Sequence, residues 1–389
     1  MVCAQTVRSS LDQMRVLTLT PFYPKACDDA AGCFVAEPIR ALNDFGIESY
    51  VVAVEPFYRA RSTPNGHPAQ WVRYAAIPGG VGLASSGMFL YASLVSRIRR
   101  LHRERGLELI HGHAALPCGH AAALLSRELQ IPFLVTVHGL DVFFAAQVRG
   151  HAGRWCQHVA QSVYRSARRV ICVSGKVADE LANGSAATNI EVIHNGVDGD
   201  LFSPGQCESD PPIILSVGNL IPTKGHALLL RAFAVLCARF PNISCEIIGD
   251  GSERSSLTKL AKRLEIGEKI KFLGRQSRKQ VAEAMQRCTI FALPSHYEGL
   301  GCVYLEAMSA QKPAIACRAQ GIEDIIHHGQ NGWLIDPDEQ QLVSALSALL
   351  LDAALRRRLG TAARKTILAG HTLIHQAAQL AHLYRECAA

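Results

Sequence analysis

A chain of 389 residues, 49% hydrophobic and only 19% charged, is long enough for two or three domains with sizeable buried cores. That composition excludes an intrinsically disordered or fibrous protein. The formal net charge of +7 is modest, +5 of it within residues 1–196, and no basic run is interleaved with aromatic residues, which argues against nucleic acid as a partner.

The first apolar run, "VLTLT", is too short for a signal-peptide core and reads as a strand. It is followed by "ACDDAAGCFVAEPIRALNDFG", a loop and then a stretch of helical periodicity, and by the strand "IESYVVAV". Residues 74–96 carry no charge, but "IPGGVGLASSG" is broken by glycine, serine and proline. Only "MFLYASLV" is strongly apolar, well short of the roughly 20 residues of a membrane span. The segment "GMFLYASLVSRIRRLHRERG" reads instead as a helix with apolar residues first and Arg97, Arg99, Arg100, Arg103 and Arg105 after them. It is either a solvated face or an interfacial helix that meets an anionic surface.

Strands "LELIHG", "PFLVTVHG", "RRVICVSG" and "IEVIHNG" follow, alternating with helical stretches such as "GHAAALLSRELQ". Most end in Gly, His, Ser or Asn before a helix begins, the pattern of a doubly wound parallel sheet. "HGHAALPCGH" places His111, His113, Cys118 and His120 within ten residues. The HxH and CxH spacings do not match common zinc patterns, which leaves the acceptor side of a cleft or packing. The thirteen cysteines are scattered without a CxxC pair and read as small buried hydrophobes of a reducing cytosol.

"NGVDGDLFSPGQCESDPP", residues 195–212, reads as a linker, after which the alternation restarts with "IILSVGN", "ISCEIIGDG", "KIKFLG", "TIFALPS", "KPAIACR" and "GWLID". The fold class is therefore α/β: two Rossmann-like doubly wound domains facing each other across a cleft, with ligands at the carboxyl ends of the strands. The expected boundaries are 1–200 and 201–370, followed by a closing segment, 371–389, that reads as a helix.

The residues that carry chemistry fall at those strand ends. In "LSVGNLIPTKGHALLLRAF", Gly218 makes a tight turn and Lys224 sits where a helix begins, a place suited to phosphate; a surface lysine would have the same local sequence. Gly249 and Gly251 in "IIGDGSERSSL" let a ligand approach the backbone, or simply start a helix capped by Ser252. In "HYEGLGCVYLEAM", the amides of Gly301, Cys302 and Val303 open a helix and suit a second anion contact. Glu306 cannot bind phosphate but suits the vicinal diol of a ribose, and Glu298 suits the hydroxyls of a second sugar. Two diols joined by a pyrophosphate have the shape of a nucleotide sugar.

"EGLGCVYLEAM" resembles the EX7E signature of retaining glycosyltransferases of the GT-B fold, family 4, in the style of those that build bacterial exopolysaccharide or teichuronic-type polymers. The glycine loop and first helix, "LVTVHGLD", "VICVSGKVADEL", "VIHNGVDGDLF", "SVGNLIPTKG", "IIGDGSER", "IKFLG" and "GIEDIIHHGQNGWLIDPDE" have counterparts there in the same order over nearly the whole chain. The resemblance implies that Glu306 holds the donor ribose, Glu298 the transferred sugar, and Lys224 the leaving pyrophosphate together with the amides at Gly301, Cys302 and Val303. It implies that His138 touches the sugar from the opposite domain, that Gly32 lines the phosphate side, and that the C-terminal helix, 371–389, crosses back to the first domain. Many members of that family carry arginine where this chain has Asn219, which can hydrogen-bond a phosphate oxygen but not neutralise it. Either Lys224 and helix dipoles suffice, or Arg275 contributes.

The expected activity is transfer of a sugar from a UDP- or GDP-sugar to a lipid-linked or polysaccharide acceptor. The expected location is cytoplasmic, with Arg97, Arg99, Arg100 and Arg103 offering peripheral contact with the inner membrane face. The competing reading is a catalytically weak partner subunit that binds nucleotide or glycan without turnover; a hydrolase or epimerase is disfavoured by the EX7E pairing with Lys224. No cofactor and no essential divalent metal are expected, "DPD" at 336–338 being better explained by helix capping.

Overall fold

The computed structural model describes residues 13–26, 29–58, 69–77, 80, 82–139, 148, 150–185, 187–206 and 209–389. Residues 27–28 of the opening loop, residues 140–141 of "LVTVHGLD" and residues 207–208 of the linker lie outside the described residues.

The first half runs β1 (Met14–Thr20), α1 (Cys33–Leu42), β2 (Ile47–Pro56), β3 (Gln70–Tyr74), α2 (Leu83–Arg105), β4 (Leu109–His113), α3 (His120–Leu129), β5 (Phe133–Val137), α4 (Gly150–Ser166), β6 (Arg169–Cys172), α5 (Gly175–Gly184) and β7 (Ile190–Val192). Its strands form one parallel sheet in the order β3-β2-β1-β4-β5-β6-β7. β4 and β5 are buried along their whole length, as central strands of a parallel sheet covered by helices on both faces are.

The second half runs β8 (Ile213–Val217), α6 (His226–Arg239), β9 (Ser244–Ile248), α7 (Arg254–Arg263), β10 (Ile270–Gly274), α8 (Arg278–Arg287), β11 (Ile290–Leu293), α9 (Cys302–Ser309), β12 (Ala314–Cys317), β13 (Trp333–Ile335), α10 (Glu339–Leu351), α11 (Ala353–Gly370) and α12 (Leu373–Ala388). The six strands form a second parallel sheet, β10-β9-β8-β11-β12-β13. Both orders reverse direction beside the first strand of the half, and at such a switch point the strand ends open a crevice. The two crevices face each other.

Three local features fix the ends of helices around that cleft. α8 starts in a capping box: Ser277 Oγ accepts from the Gln280 amide at 3.3 Å and Gln280 Oε1 accepts from the Ser277 amide at 3.0 Å. α9 starts at Gly301, which is left-handed with φ 84°. α10 starts at Asp338, whose Oδ1 accepts from the Gln341 amide at 2.9 Å, so this aspartate caps a helix.

The last helix, α12, leaves the second half and packs on α1. Leu380, Ala381, Leu383, Tyr384 and Cys387 join Met14, Val16, Leu42, Ile47 and Leu109 in one buried cluster. The linker is anchored as well: Phe202 is fully buried, and Val197 bridges to Thr372. Among the described residues all ten cysteines are free, eight of them buried, and no helix is long and apolar enough to cross a membrane.

Candidate active site

A cleft of about 500 Å³ lies between the two sheets. Gly32 lines it from the first half; Gly218, Asn219, Lys224, Gly249, Arg275, Glu298, Gly301, Cys302, Val303 and Glu306 line it from the second. Residues from four strand–helix junctions of the second sheet thus meet the loop that opens α1. The approach of the loops depends on missing side chains. A Cβ at Gly249, whose φ is 138°, would lie 1.9 Å from the Gly218 carbonyl oxygen, and one at Gly32 would lie 2.7 Å from the Tyr23 amide nitrogen.

Both signature glutamates are buried, Glu298 to 6% and Glu306 to 3% exposure, so neither is an ordinary surface carboxylate. Glu298 Oε1 pairs with Lys224 Nζ at 2.6 Å and accepts from Ser295 Oγ at 2.9 Å. Its own amide donates to Gln320 Oε1 at 2.9 Å. Lys224 ends a short turn, Pro222–Lys224, immediately before α6, so its ammonium stands beside a helix start and a carboxylate at once. A buried carboxylate so held keeps its direction and leaves lone pairs to accept further hydrogen bonds.

Glu306 is bonded to Arg278, whose guanidinium also makes two parallel bonds to Glu37 of α1, Nε–Oε1 at 2.9 Å and Nη2–Oε2 at 3.0 Å. Burial raises the Glu37 carboxyl above its ordinary range even though Arg278 pulls it back. Burial opposes the charge on Arg278, yet the Glu306 carboxylate, with Glu37 behind it, raises its pKa above the ordinary arginine value. Sequence reading missed both Arg278 and Glu37. Each is one charged residue in a helix with no glycine or motif beside it, and the only trace is the capping-box pattern that puts Arg278 at the first position of α8.

His138 reaches the site from the first half. It lines a second space of about 250 Å³ next to the cleft, shared with Phe22, Phe34, Lys224, Tyr297, Glu298 and Gly299. His138 Nε2 lies 3.1 Å from His113 Nδ1, the two rings stacked at 5.3 Å. His111 sits deeper, with Nδ1 2.6 Å from Tyr384 Oη and Nε2 2.7 Å from Thr136 Oγ1. Burial lowers His138 to about 4 and His111 to about 3, and pushes His113 well below its ordinary value. All three are neutral at pH 7, so His138 can exchange hydrogen bonds with a hydroxyl but brings no charge. "HGHAALPCGH" is thus a packed hydrogen-bonding layer behind His138, with His120 turned toward Gly87 of α2. Among the described residues no group of three His, Cys, Asp or Glu is placed to hold a metal ion.

The two halves touch where their backbones carry glycine. A Cβ at Gly299 would lie 2.1 Å from the His138 carbonyl oxygen, and one at Gly321 would lie 2.6 Å from Ser174 Oγ and 1.7 Å from the Gly299 carbonyl oxygen of its own half. That same Gly299 oxygen accepts from Ser174 Oγ, and Asp324 Oδ2 accepts from the Gly175 amide at 2.7 Å.

Two expectations are corrected. Gly251 does not line the cleft: its missing side chain admits Leu220, whose carbonyl oxygen would lie 2.4 Å from a Cβ there, so the glycine serves loop packing. Ser252 does not cap α7, which starts after Glu253 with no side-chain cap at all.

Two family models match adjoining parts of the chain: Glycosyltransferase Family 4 over residues 32–201 and Glycosyl transferases group 1 over residues 199–366. An uncharacterized glycosyltransferase of Methanocaldococcus jannaschii is 31% identical over 263 residues, 67% of this chain and 71% of its own. TuaC of Bacillus subtilis, a glycosyltransferase named for teichuronic acid biosynthesis, is 25% identical over 86% of this chain and 88% of its own. Among solved structures, Anabaena HepE in complex with UDP-glucose superposes with a TM-score of 0.75 at 20% identity, covering 96% of this chain and all of that one, which shows a shared fold.

Proposed function

The chain belongs to glycosyltransferase family 4, a GT-B enzyme of glycosyl transfer, and from that membership we propose that it moves a sugar from a UDP- or GDP-sugar to a lipid-linked or polymeric glycan with retention of anomeric configuration. The observation that carries this reading is the convergence of the Lys224–Glu298 pair, Glu306 and the start of α9 in one interdomain cleft.

The chemistry follows from where charge must be stabilised. As the bond from the sugar C1 to the phosphate oxygen breaks, positive charge grows on the ring and negative charge on the leaving nucleoside diphosphate. Lys224 and the amides at Gly301–Val303 are fixed in advance toward the leaving oxygens, which lowers the barrier without reorganisation at the moment of reaction. The acceptor oxygen bonds C1 on the face the phosphate leaves, and its proton passes to a phosphate oxygen. Glu298 orients the sugar and does not attack it. Asn219 lacks the charge of an arginine, but Arg275 lines the same cleft and supplies a second cation. That arrangement weighs against a partner subunit without turnover. The proton NMR spectrum of the first product tests the reading: its anomeric coupling should match the donor's, and an inverted anomer would exclude front-face transfer.

A glycan acceptor carried on lipid needs the enzyme at a membrane, and TuaC is named for teichuronic acid biosynthesis. In α2, Met88 and Phe89 are each 47% exposed. Ala92, Ser96, Arg99, Arg100 and Arg103 continue the exposed face at helical spacing. Apolar side chains followed by arginines suit an anionic lipid surface, so peripheral contact on the inner face of the cytoplasmic membrane is part of the proposal. Co-sedimentation with vesicles should rise with anionic lipid and fall in a Phe89→Ser/Arg100→Ala/Arg103→Ala variant; indifference to both would remove this part.

A further inference from the structure

Arg278 stands where three parts of the molecule meet. Its guanidinium bonds Glu306 of the second half and makes the bidentate pair with Glu37 of α1 in the first. Its carbon Cζ lies 4.6 Å from the ring centroid of Phe202, a fully buried residue of the connecting segment. The preceding residue, Ser277, forms an isolated antiparallel bridge with Asp29. The segment 29–37 therefore grips residues 277 and 278 at two points, by backbone before α1 and by a carboxylate one turn into it. α1 also begins at Gly32, on the phosphate side of the cleft.

We propose that Arg278 is a positioning residue that presents the Glu306 carboxylate to the donor ribose only when Glu37 of the opposite domain holds it, so that closure of the two domains assembles the ribose site. The inference rests on the assignment of Glu306 to the ribose. A carboxylate buried to this depth needs a compensating charge, and the group that supplies it sets which oxygen is left for the diol. The planar fork of arginine can serve two carboxylates at once in fixed directions, which a lysine cannot. Glu306 itself sits in α9 and moves with the second half; Glu37 is the only part of the triad contributed by the first. Loss of Glu37 leaves Arg278 and Glu306 paired but frees the guanidinium to rotate with its partner.

The test is the hydroxyl discrimination of nucleotide binding by the full chain. UDP, GDP and ADP are titrated beside their 2′-deoxy and 3′-deoxy counterparts into the unaltered protein, Glu37→Gln and Arg278→Lys. For the nucleotide that binds, the unaltered protein should lose roughly tenfold or more on removal of a hydroxyl that Glu306 accepts from. In both variants the ribonucleotide should weaken while the deoxynucleotide binds as before, so that the ratio collapses toward one. A ribonucleotide and deoxynucleotide weakened by the same factor would mean a merely structural ion pair and overturn the proposal. No discrimination by the unaltered protein would instead overturn the assignment of Glu306, and the proposal with it. Glu37→Gln is isosteric and lies on α1, leaving the Ser277–Gln280 capping box of α8 unaltered, so it carries the test if Arg278→Lys does not fold.

Discussion

Replacing Gly299 by alanine tests whether the contact between the two halves is the working geometry. The added Cβ would lie 2.1 Å from the His138 carbonyl oxygen and 3.3 Å from the Gly139 Cα, where ordinary contact begins at 3.4 Å. The atoms in the way are backbone, and neither can turn aside as a side chain would. The two loops must separate by more than an ångström along the line from the His138 carbonyl to residue 299. Each half keeps its own sheet, and the added methyl meets only the loop contact, so the variant should fold. Misplacement of reacting groups by about 1 Å costs on the order of 100-fold in rate. The expected loss is of that size in kcat, with a smaller loss in nucleotide affinity, because Asn219, Lys224 and the start of α9 all sit on one half. The assay is release of nucleoside diphosphate from the donor with and without acceptor, alongside melting of the free protein. A rate within threefold of the unaltered enzyme would mean that the contact at Gly299 is not part of the reacting state.

Lys224→Ala removes one partner of a pair whose carboxylate is 7% exposed and whose lysine is 20% exposed, leaving Glu298 with Ser295. It should destabilise the protein by about 2–3 kcal/mol in urea, less than a wholly buried pair, and lower kcat about 100-fold or more. A variant as stable and active as the original would contradict both roles of the lysine. Stability should also fall with acid. His111, His138 and His226 are held by burial at about 3, 4 and 4, below the ordinary 6.5, so the unfolded chain binds their protons first. Their contribution is intact above pH 6.5 and is lost from there down to about pH 4. At pH 5 each removes about 2 kcal/mol relative to pH 7.5. A melting temperature that stays level between pH 7.5 and 5 would contradict the buried histidine layer. Transfer should proceed at full rate in EDTA, and loss restored by magnesium would place a metal in the mechanism.

The parts of the fold that were legible in the sequence are those whose signal is local. Runs such as "FLV" in β5 and "IFAL" in β11 are apolar throughout because both faces of a parallel strand are covered, and glycine marks the turns where backbones approach. β3, "QWVRY", was missed because it is an edge strand, exposed at Gln70 and Arg73, without the continuous apolar run of its neighbours. Gly251 was misread for a related reason: a glycine reports close approach of something, and whether that is a ligand or Leu220 is decided by the next loop in space. The Glu37–Arg278–Glu306 bridge was not legible at all. Its members are separated by 241 and 28 positions, and although Glu306 stands out in its motif, nothing in α1 or α8 alone distinguishes Glu37 or Arg278 from solvated charges. The closing segment was legible as a helix, but nothing in its own residues names α1 as its partner; that direction came from the family resemblance.

The claim at the centre of this account is that one interdomain cleft binds a nucleotide sugar through Glu306. The direct measurement is the melting temperature of the purified chain with UDP-, GDP-, ADP- and dTDP-sugars, beside Glu306→Ala. At about 100 times its dissociation constant a ligand adds roughly 2.7 kcal/mol, a shift of several degrees or less in a chain of this size. One nucleotide class should raise the melting temperature of the unaltered protein and leave Glu306→Ala where it was. Equal shifts in both proteins, or no shift in either with any nucleotide sugar, would contradict the account.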